Sequence, residues 1–224
     1  MCHAVNEATI IALEKGIVTC GSIMVPCPWF LEIAEYCREH PQADLGIHIT
    51  LTSEWKYYRW GPVSLKVPSL IDKEGYLWRS VEDVVKHATP EEVETEIRAQ
   101  VQRAIDFGIK PTHIDTHMLT VYALPEFSKS YYKVAHEFGI PVLNDIIIGV
   151  NIGEIEPRRK EYKKIICNLR PGVTQIIVHM ALDHPEMHWI GQWSLRHYDF
   201  LIFTDPEMKQ FIEEQGVKLI GSRN

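Results

Sequence analysis

Short apolar runs alternate with longer amphipathic ones along most of the chain, and that alternation restricts the fold more than any other feature. Asn6 to Lys15 reads as a helix that stops at Gly16, where a left-handed C-terminal residue would fit. Ile17 to Val25 reads as a strand, Pro28 to Glu39 as a helix with proline near its first turn, and Asp44 to Leu51 as a second strand. Residues 53 to 80 show no period and carry Trp55, Tyr57, Tyr58 and Trp60. Thr89 is a suitable N-cap for a helix running to Phe107, with Pro90 at its first position and Glu91 and Glu92 at the positive end of the dipole. Pro111 to Asp115 reads as a strand, Pro125 to Phe138 as a helix ended by Gly139, and Pro141 to Ile148 as a strand. Glu154 to Asn168 (helix), Val173 to His179 (strand), Asp205 to Gln215 (helix) and Val217 to Ile220 (strand) complete the pattern. Strand–helix alternation predicts an α/β fold with parallel strands and helical crossovers. Ile23-Met24-Val25 and Gln175-Ile176-Ile177-Val178 fit strands covered on both faces. A barrel and an open doubly wound sheet both satisfy this pattern. No Gly-x-Gly-x-x-Gly follows a strand, so nothing supports a dinucleotide fold.

The 224 residues, 46% of them hydrophobic, are expected to form one domain over 1–224, since no linker or repeat divides them. A formal net charge of -7 argues against a nucleic-acid partner. The one basic run, Arg158-Arg159-Lys160, stands among Glu154, Glu156 and Glu161 and is expected to be a solvated helix face. Five cysteines with no Cys-x-x-Cys pair predict free thiols in a reducing compartment. No apolar run approaches the roughly 20 residues of a membrane span. Residues 1–12 lack the regions of a signal peptide, so the cytoplasm is the expected location.

Chemistry concentrates in three histidine-bearing segments at the C-terminal ends of apolar runs, where parallel β/α folds gather functional residues. In Gly46-Ile47-His48-Ile49-Thr50-Leu51-Thr52, alternation puts His48, Thr50 and Thr52 on one side. In Thr112-His113-Ile114-Asp115-Thr116-His117 it aligns His113, Asp115 and His117. Three aligned ionisable groups are costly to bury without a partner, and imidazole beside carboxylate is the chemistry of a metal ligand oriented from behind. The third segment is an apolar strand ending at His179. No Gly-x-Ser-x-Gly elbow is present, so metal-activated water is a better expectation than a serine nucleophile.

Together these segments resemble the YdjC-like carbohydrate deacetylases, which include chito-oligosaccharide deacetylases. The first helix with Asn6, Arg196-x-x-Asp199 and Gly216-Val217-Lys218-Leu219 add to the likeness, which extends over nearly the whole chain. The resemblance implies an irregular TIM-like β/α barrel and one divalent metal, magnesium or zinc, held by an aspartate and two histidines. His48 and His117 match the histidine ligands, and His179 matches the acid that protonates the leaving amine. Asp115, with His113, would stand behind the ligands or face the substrate, and Arg196, with Asp199, would position the acid or the substrate. Trp55, Tyr58 and Trp60 are candidate sugar-stacking groups.

Three departures from the family pattern bear on this. The family opens with a strand ending in Asp-Asp-x-Gly, whose aspartates supply a metal ligand and the base. Here the likeness begins at Met1, just after that glycine, and the expectation is an in-frame upstream segment carrying the motif. Met118-Leu119-Thr120 replaces a histidine-rich run, and His179-Met180 replaces a His-Pro pair. The function so implied is hydrolysis of an acetyl group from an N-acetylated sugar or oligosaccharide. Two alternatives stay open: a sugar-binding or scaffold member without turnover, and a metal-dependent amidohydrolase or phosphoesterase. The expected partners are that small-molecule or oligosaccharide substrate and, at most, a second copy of the chain in a homodimer, with no membrane.

Overall fold

The computed structural model describes residues 1–143 and 147–223, which gather into two compact units. The first comprises Met1–Cys2 and Gly21–Leu143. It holds strands β1 (Gly21–Ile23), β2 (Leu45–Ile49) and β3 (Ile114–Thr116) and helices α2 (Phe30–Glu39), α3 (Val81–His87), α4 (Pro90–Asp106) and α5 (Pro125–Phe138). Helix α1 (His3–Lys15) belongs to the second unit, as do strands β4 (Ile147–Ile148) and β5 (Gln175–Ile176) and helices α6 (Ile155–Cys167), α7 (Trp193–Phe203) and α8 (Pro206–Glu214).

In the first unit the strands form a parallel sheet in the order β1-β2-β3. Parallel pairing is what the alternation predicts, because each strand must be followed by a crossover. The register places Ser22 beside Gly46 and His48 beside Asp115. Side chains two apart on a strand share a face, as do register partners on neighbouring strands. Ser22, Gly46, His48, His113 and Asp115 therefore lie on one side of the sheet. Beyond β3, Val142 makes a single parallel bridge to Ile114. The strand expected over 141–148 lies partly outside the described residues.

Helices α4 and α5 form as their caps dictate. Thr89 Oγ1 accepts the Glu92 N–H at 3.4 Å, and Pro90 needs no partner at the first position. Gly139 ends α5 in the left-handed region at φ 64°. The buried positions Phe127, Ser130, Tyr131, Val134 and Ala135 of α5 follow the three-and-four spacing of one helical face. So do Val93, Glu96, Ile97, Gln100, Val101 and Ala104 of α4, although two of those are polar. Helix α2 starts at Phe30, after a turn that contains Pro28, so the proline precedes the helix and does not open it.

The second unit packs Ala8 and Ala12 of α1 with Tyr162 and Ile166 of α6, Ile202 and Phe203 of α7, and Met208 and Ile212 of α8. Tyr162 and Phe203 meet edge to face at 4.8 Å. Gly16 is not left-handed. It is glycine because a Cβ there would come within 2.6 Å of the Phe203 carbonyl oxygen and 2.7 Å of that of Ala12. β4 and β5 pair in parallel. Residues 217–220, expected as a closing strand, are not one: the Val217 N–H turns back to the Ile212 carbonyl at the end of α8. Among the described residues no helix is long and apolar enough to cross a membrane.

Candidate active site

The shared face of β2 and β3 brings the expected residues together. His48 Nδ1 lies 2.7 Å from Asp115 Oδ1, and the rings of His48 and His117 stand 5.4 Å apart. Both imidazoles are partly open to solvent, their side chains 23% and 13% exposed. Asp115 is the hinge of the cluster. Burial alone pushes its carboxyl up, but the charge and hydrogen bond of His48, with His113 and Ser22, outweigh that and hold it below the ordinary carboxylate range.

His113 does not face outward with the others. It is 1% exposed, with Nε2 2.9 Å from Ser22 Oγ and Nδ1 3.0 Å from Thr112 Oγ1. Burial pushes its imidazole below the ordinary value against the opposing pull of Asp115 and Asp44. Ser22 also donates to Asp115 Oδ2 at 2.9 Å. Sequence alternation aligned His113 with Asp115 but gave no sign of Ser22, because that contact depends on the register between β1 and β3 across β2.

β3 ends at Thr116, and His117 opens a short 3-10 turn, Tyr122 being its last residue. Met118 and Leu119 follow at φ 51° and 55°. Two consecutive non-glycine residues in the left-handed region carry strain that concentrates at functional sites. His117 Nε2 meets Glu54 Oε2 at 3.1 Å, a second partner the sequence did not reveal. Glu54 follows the stripe expected over His48, Thr50 and Thr52. That stripe is not a continuous strand, since β2 stops at Ile49. Beyond it Gln100 holds the backbone N–H and carbonyl of Thr50 at 3.0 and 2.7 Å.

The aromatic loop packs chiefly on itself. Trp60 is 2% exposed and donates its indole N–H to the Thr52 carbonyl at 2.9 Å, so it is core and presents no sugar platform. Trp55 and Tyr58 are half-buried against it, with ring centres 5.5 and 6.1 Å away.

His179 and Arg196 belong to the second unit. His179 is exposed, and its backbone N–H donates to Asp199 Oδ2 at 3.2 Å. Asp199 does not pair with Arg196. Arg158 grips it through Nε at 2.6 Å and Nη2 at 2.8 Å, and the Tyr162 hydroxyl donates to it at 2.8 Å. Arg158 is therefore buried, contrary to a solvated Arg158-Arg159-Lys160 face; Lys160 alone of the three is exposed. Helical geometry turns Arg158 and Tyr162, four residues apart, onto the same inward face.

The donor chemistry at His48 and His117 suits a divalent cation. Asp115 takes Nδ1 of His48 and leaves Nε2 for a ligand, the carboxylate–histidine arrangement of metal centres. Glu54 adds an oxygen donor beside His117. Among the described residues no three His, Cys, Asp or Glu side chains form a complete cation cage.

Comparison with known proteins agrees in sequence and in fold. A carbohydrate deacetylase of Brevibacillus brevis is 30% identical, the match covering 96% of this chain and 92% of the relative. One from Thermus thermophilus is 28% identical over 95% and 85%. A chitooligosaccharide deacetylase of Yersinia enterocolitica is 25% identical over 98% and 92%. A crystal structure from Enterococcus faecalis V583, described as a candidate cellobiose-phosphate cleavage protein, shares the fold with a TM-score of 0.85. It is 24% identical and is matched over 93% of its length by 99% of this chain. Residues 1–160 match the profile of the YdjC-like proteins, and with the near full-length relatives this shows that the chain belongs to the YdjC-like protein family.

Proposed function

We propose that this protein is a carbohydrate deacetylase that hydrolyses the acetamide of an N-acetylated sugar or oligosaccharide with the help of a divalent cation, magnesium or zinc. The observation that carries the reading is the convergence of His48 and His117, 5.4 Å apart and partly open, with Asp115 bound behind His48. The names of the near full-length relatives supply the substrate class. When bound, the cation polarises the amide carbonyl and acidifies a water. His48 and His117 would hold it as neutral imidazoles. Asp115 keeps His48 in one ring orientation by accepting its Nδ1 proton. His179 is the proposed proton donor to the leaving amine, and Asp199 fixes the backbone that carries it. Arg196 is retained as a candidate substrate-positioning group, independent of Asp199.

The free cysteines Cys2, Cys20, Cys27, Cys37 and Cys167 support a reducing, cytoplasmic setting. The incomplete cage among the described residues favours one second reading, a sugar-binding member without turnover.

Acetate release from N-acetylglucosamine and from chito-oligosaccharides, with added magnesium or zinc, decides between them. The expected result is cation-dependent release that falls by at least about 100-fold in His48→Ala and His117→Ala, and by about 100- to 10,000-fold in His179→Ala. Undiminished activity in either ligand variant would overturn the site. Sugar binding with no acetate release under any cation would favour the second reading.

A further inference from the structure

His113, Ser22 and Gly46 are not accounted for by cation binding or by proton donation, yet they meet in close contact on the sheet face. Ser22 lies on β1 and His113 immediately before β3, with β2 between them. Their contact at 2.9 Å must pass over the central strand. It passes at Gly46, the register partner of Ser22. A Cβ on Gly46 would sit 2.5 Å from Cδ2, from Nε2 and from the backbone oxygen of His113. Glycine in a buried strand is unfavourable in itself, and here its missing side chain is the space that the ring occupies.

The direction of the hydrogen bonds follows from donor chemistry. An ionised carboxylate only accepts, so Ser22 must give its hydroxyl proton to Asp115 Oδ2, 2.9 Å away. The Ser22 oxygen is then left to accept, and His113 Nε2 must carry the proton that it receives. At the other edge of the ring Thr112 Oγ1 stands 3.0 Å from His113 Nδ1; with the proton on Nε2 that nitrogen can only accept, and the single Thr112 hydroxyl proton serves either it or Asp44 Oδ1, 2.5 Å away. His48 must likewise donate from Nδ1 to Asp115 Oδ1 at 2.7 Å. The result is a directed chain, His113 to Ser22 to Asp115, that meets the proton of His48 at the far carboxylate oxygen.

We propose that His113 is a positioning residue: reaching over Gly46, it holds Ser22, whose hydroxyl orients Asp115 and so fixes His48 with its proton on Nδ1 and its Nε2 lone pair available to a cation. Two acceptor oxygens held from two sides leave the carboxylate one orientation, and a ring bonded to it at Nδ1 keeps one tautomer. The inference rests on the reading of His48 as a ligand but not on the identity of the substrate.

The test is the ring tautomer of His48, read from its 13C and 15N chemical shifts in the cation-free protein, with zinc affinity measured by calorimetry using zinc alone. The wild type is expected to show the Nδ1–H form. Ser22→Ala, a small change on a half-buried strand, is expected to admit the Nε2–H form and to weaken zinc binding about 10- to 100-fold. Ser22→Thr keeps the hydroxyl and is expected to restore both signals. Gly46→Ala, which displaces the His113 ring and presses on the carbonyl that accepts the Ile47 N–H, should also admit the Nε2–H form. A wild-type His48 protonated on Nε2, or a Ser22→Ala protein with unchanged tautomer and zinc affinity, would overturn the proposal. If the tautomer pattern holds while no N-acetylated sugar loses acetate, the deacetylase reading fails alone.

Discussion

Asp199 is buried with its carboxylate held by Arg158, Tyr162 and the backbone of His179, so it is a charge removed from water and compensated at every oxygen. Such a pair adds little over an apolar one, but removing one member strands the other. Asp199→Ala is therefore expected to destabilise the protein by about 3–5 kcal/mol in denaturant titration. Lys160→Ala, two residues before Tyr162 and on the exposed face of α6, should change stability by under about 0.5 kcal/mol. Equal effects would show that Arg158 and Lys160 share an environment after all. From the sequence they look alike, because charge clustering says nothing about which of three adjacent residues a helix turns inward. His48, Asp115 and His117 were legible for the opposite reason: strand alternation fixes which residues share a face. Ser22, the space over Gly46 and Glu54 were not legible. Each depends on strand register or on the path of an aperiodic loop, neither of which local spacing encodes.

At the scale of elements, helix α4 does more than cover the sheet. Glu96 accepts the backbone N–H groups of Val63 and Ser64, both at 2.9 Å, and the Gln100 amide at 2.8 Å, while Gln100 holds Thr50. Two polar residues on a buried stripe thus pin the segment that carries Glu54 and the aromatic loop. Burial pushes the Glu96 carboxyl from its ordinary 4.5 up to about 7, against the three donors that favour the anion. The folded state then holds a proton that the unfolded chain releases near 4.5. The resulting stabilisation is full below that value and is lost as the pH rises through about 7. Glu96→Gln is expected to flatten the fall in stability between pH 4.5 and 7, measured by urea titration at several pH values. A variant whose slope matches the wild type would exclude Glu96 as its source. Helices α4 and α5 could be read from caps and period alone. Helix α7 could not: Trp193–Phe203 mixes apolar and polar residues without a clean stripe, and Gln192 before it is left-handed at φ 61° with no capping side chain. Strands came out shorter than their apolar runs because ladder pairing, unlike hydrophobicity, needs an aligned neighbour.

For the whole molecule, a net charge of -7 sets a field that draws cations and repels polyanions. Binding at one site is then felt by the entire fold, since a ligand that prefers the folded state stabilises it in proportion to the logarithm of its excess. At about 100 times its dissociation constant a cation contributes about 2.7 kcal/mol. For a chain of this size that corresponds to a rise of roughly 5–11 °C in melting temperature. Magnesium or zinc added to the wild type is expected to produce such a rise, and EDTA to reverse it while leaving the far-ultraviolet circular dichroism intact. The folded core persists because the buried apolar clusters of each unit do not depend on the cation. His48→Ala with His117→Ala should abolish the shift. The negative field gives the control its force, since any divalent ion gathers weakly over the surface. Exposed pairs such as His188 with Asp183, 2.8 Å apart, offer zinc a second landing place. A shift that survives the double substitution would assign the stabilisation to such surface pairs and detach the cation from the histidines of the sheet.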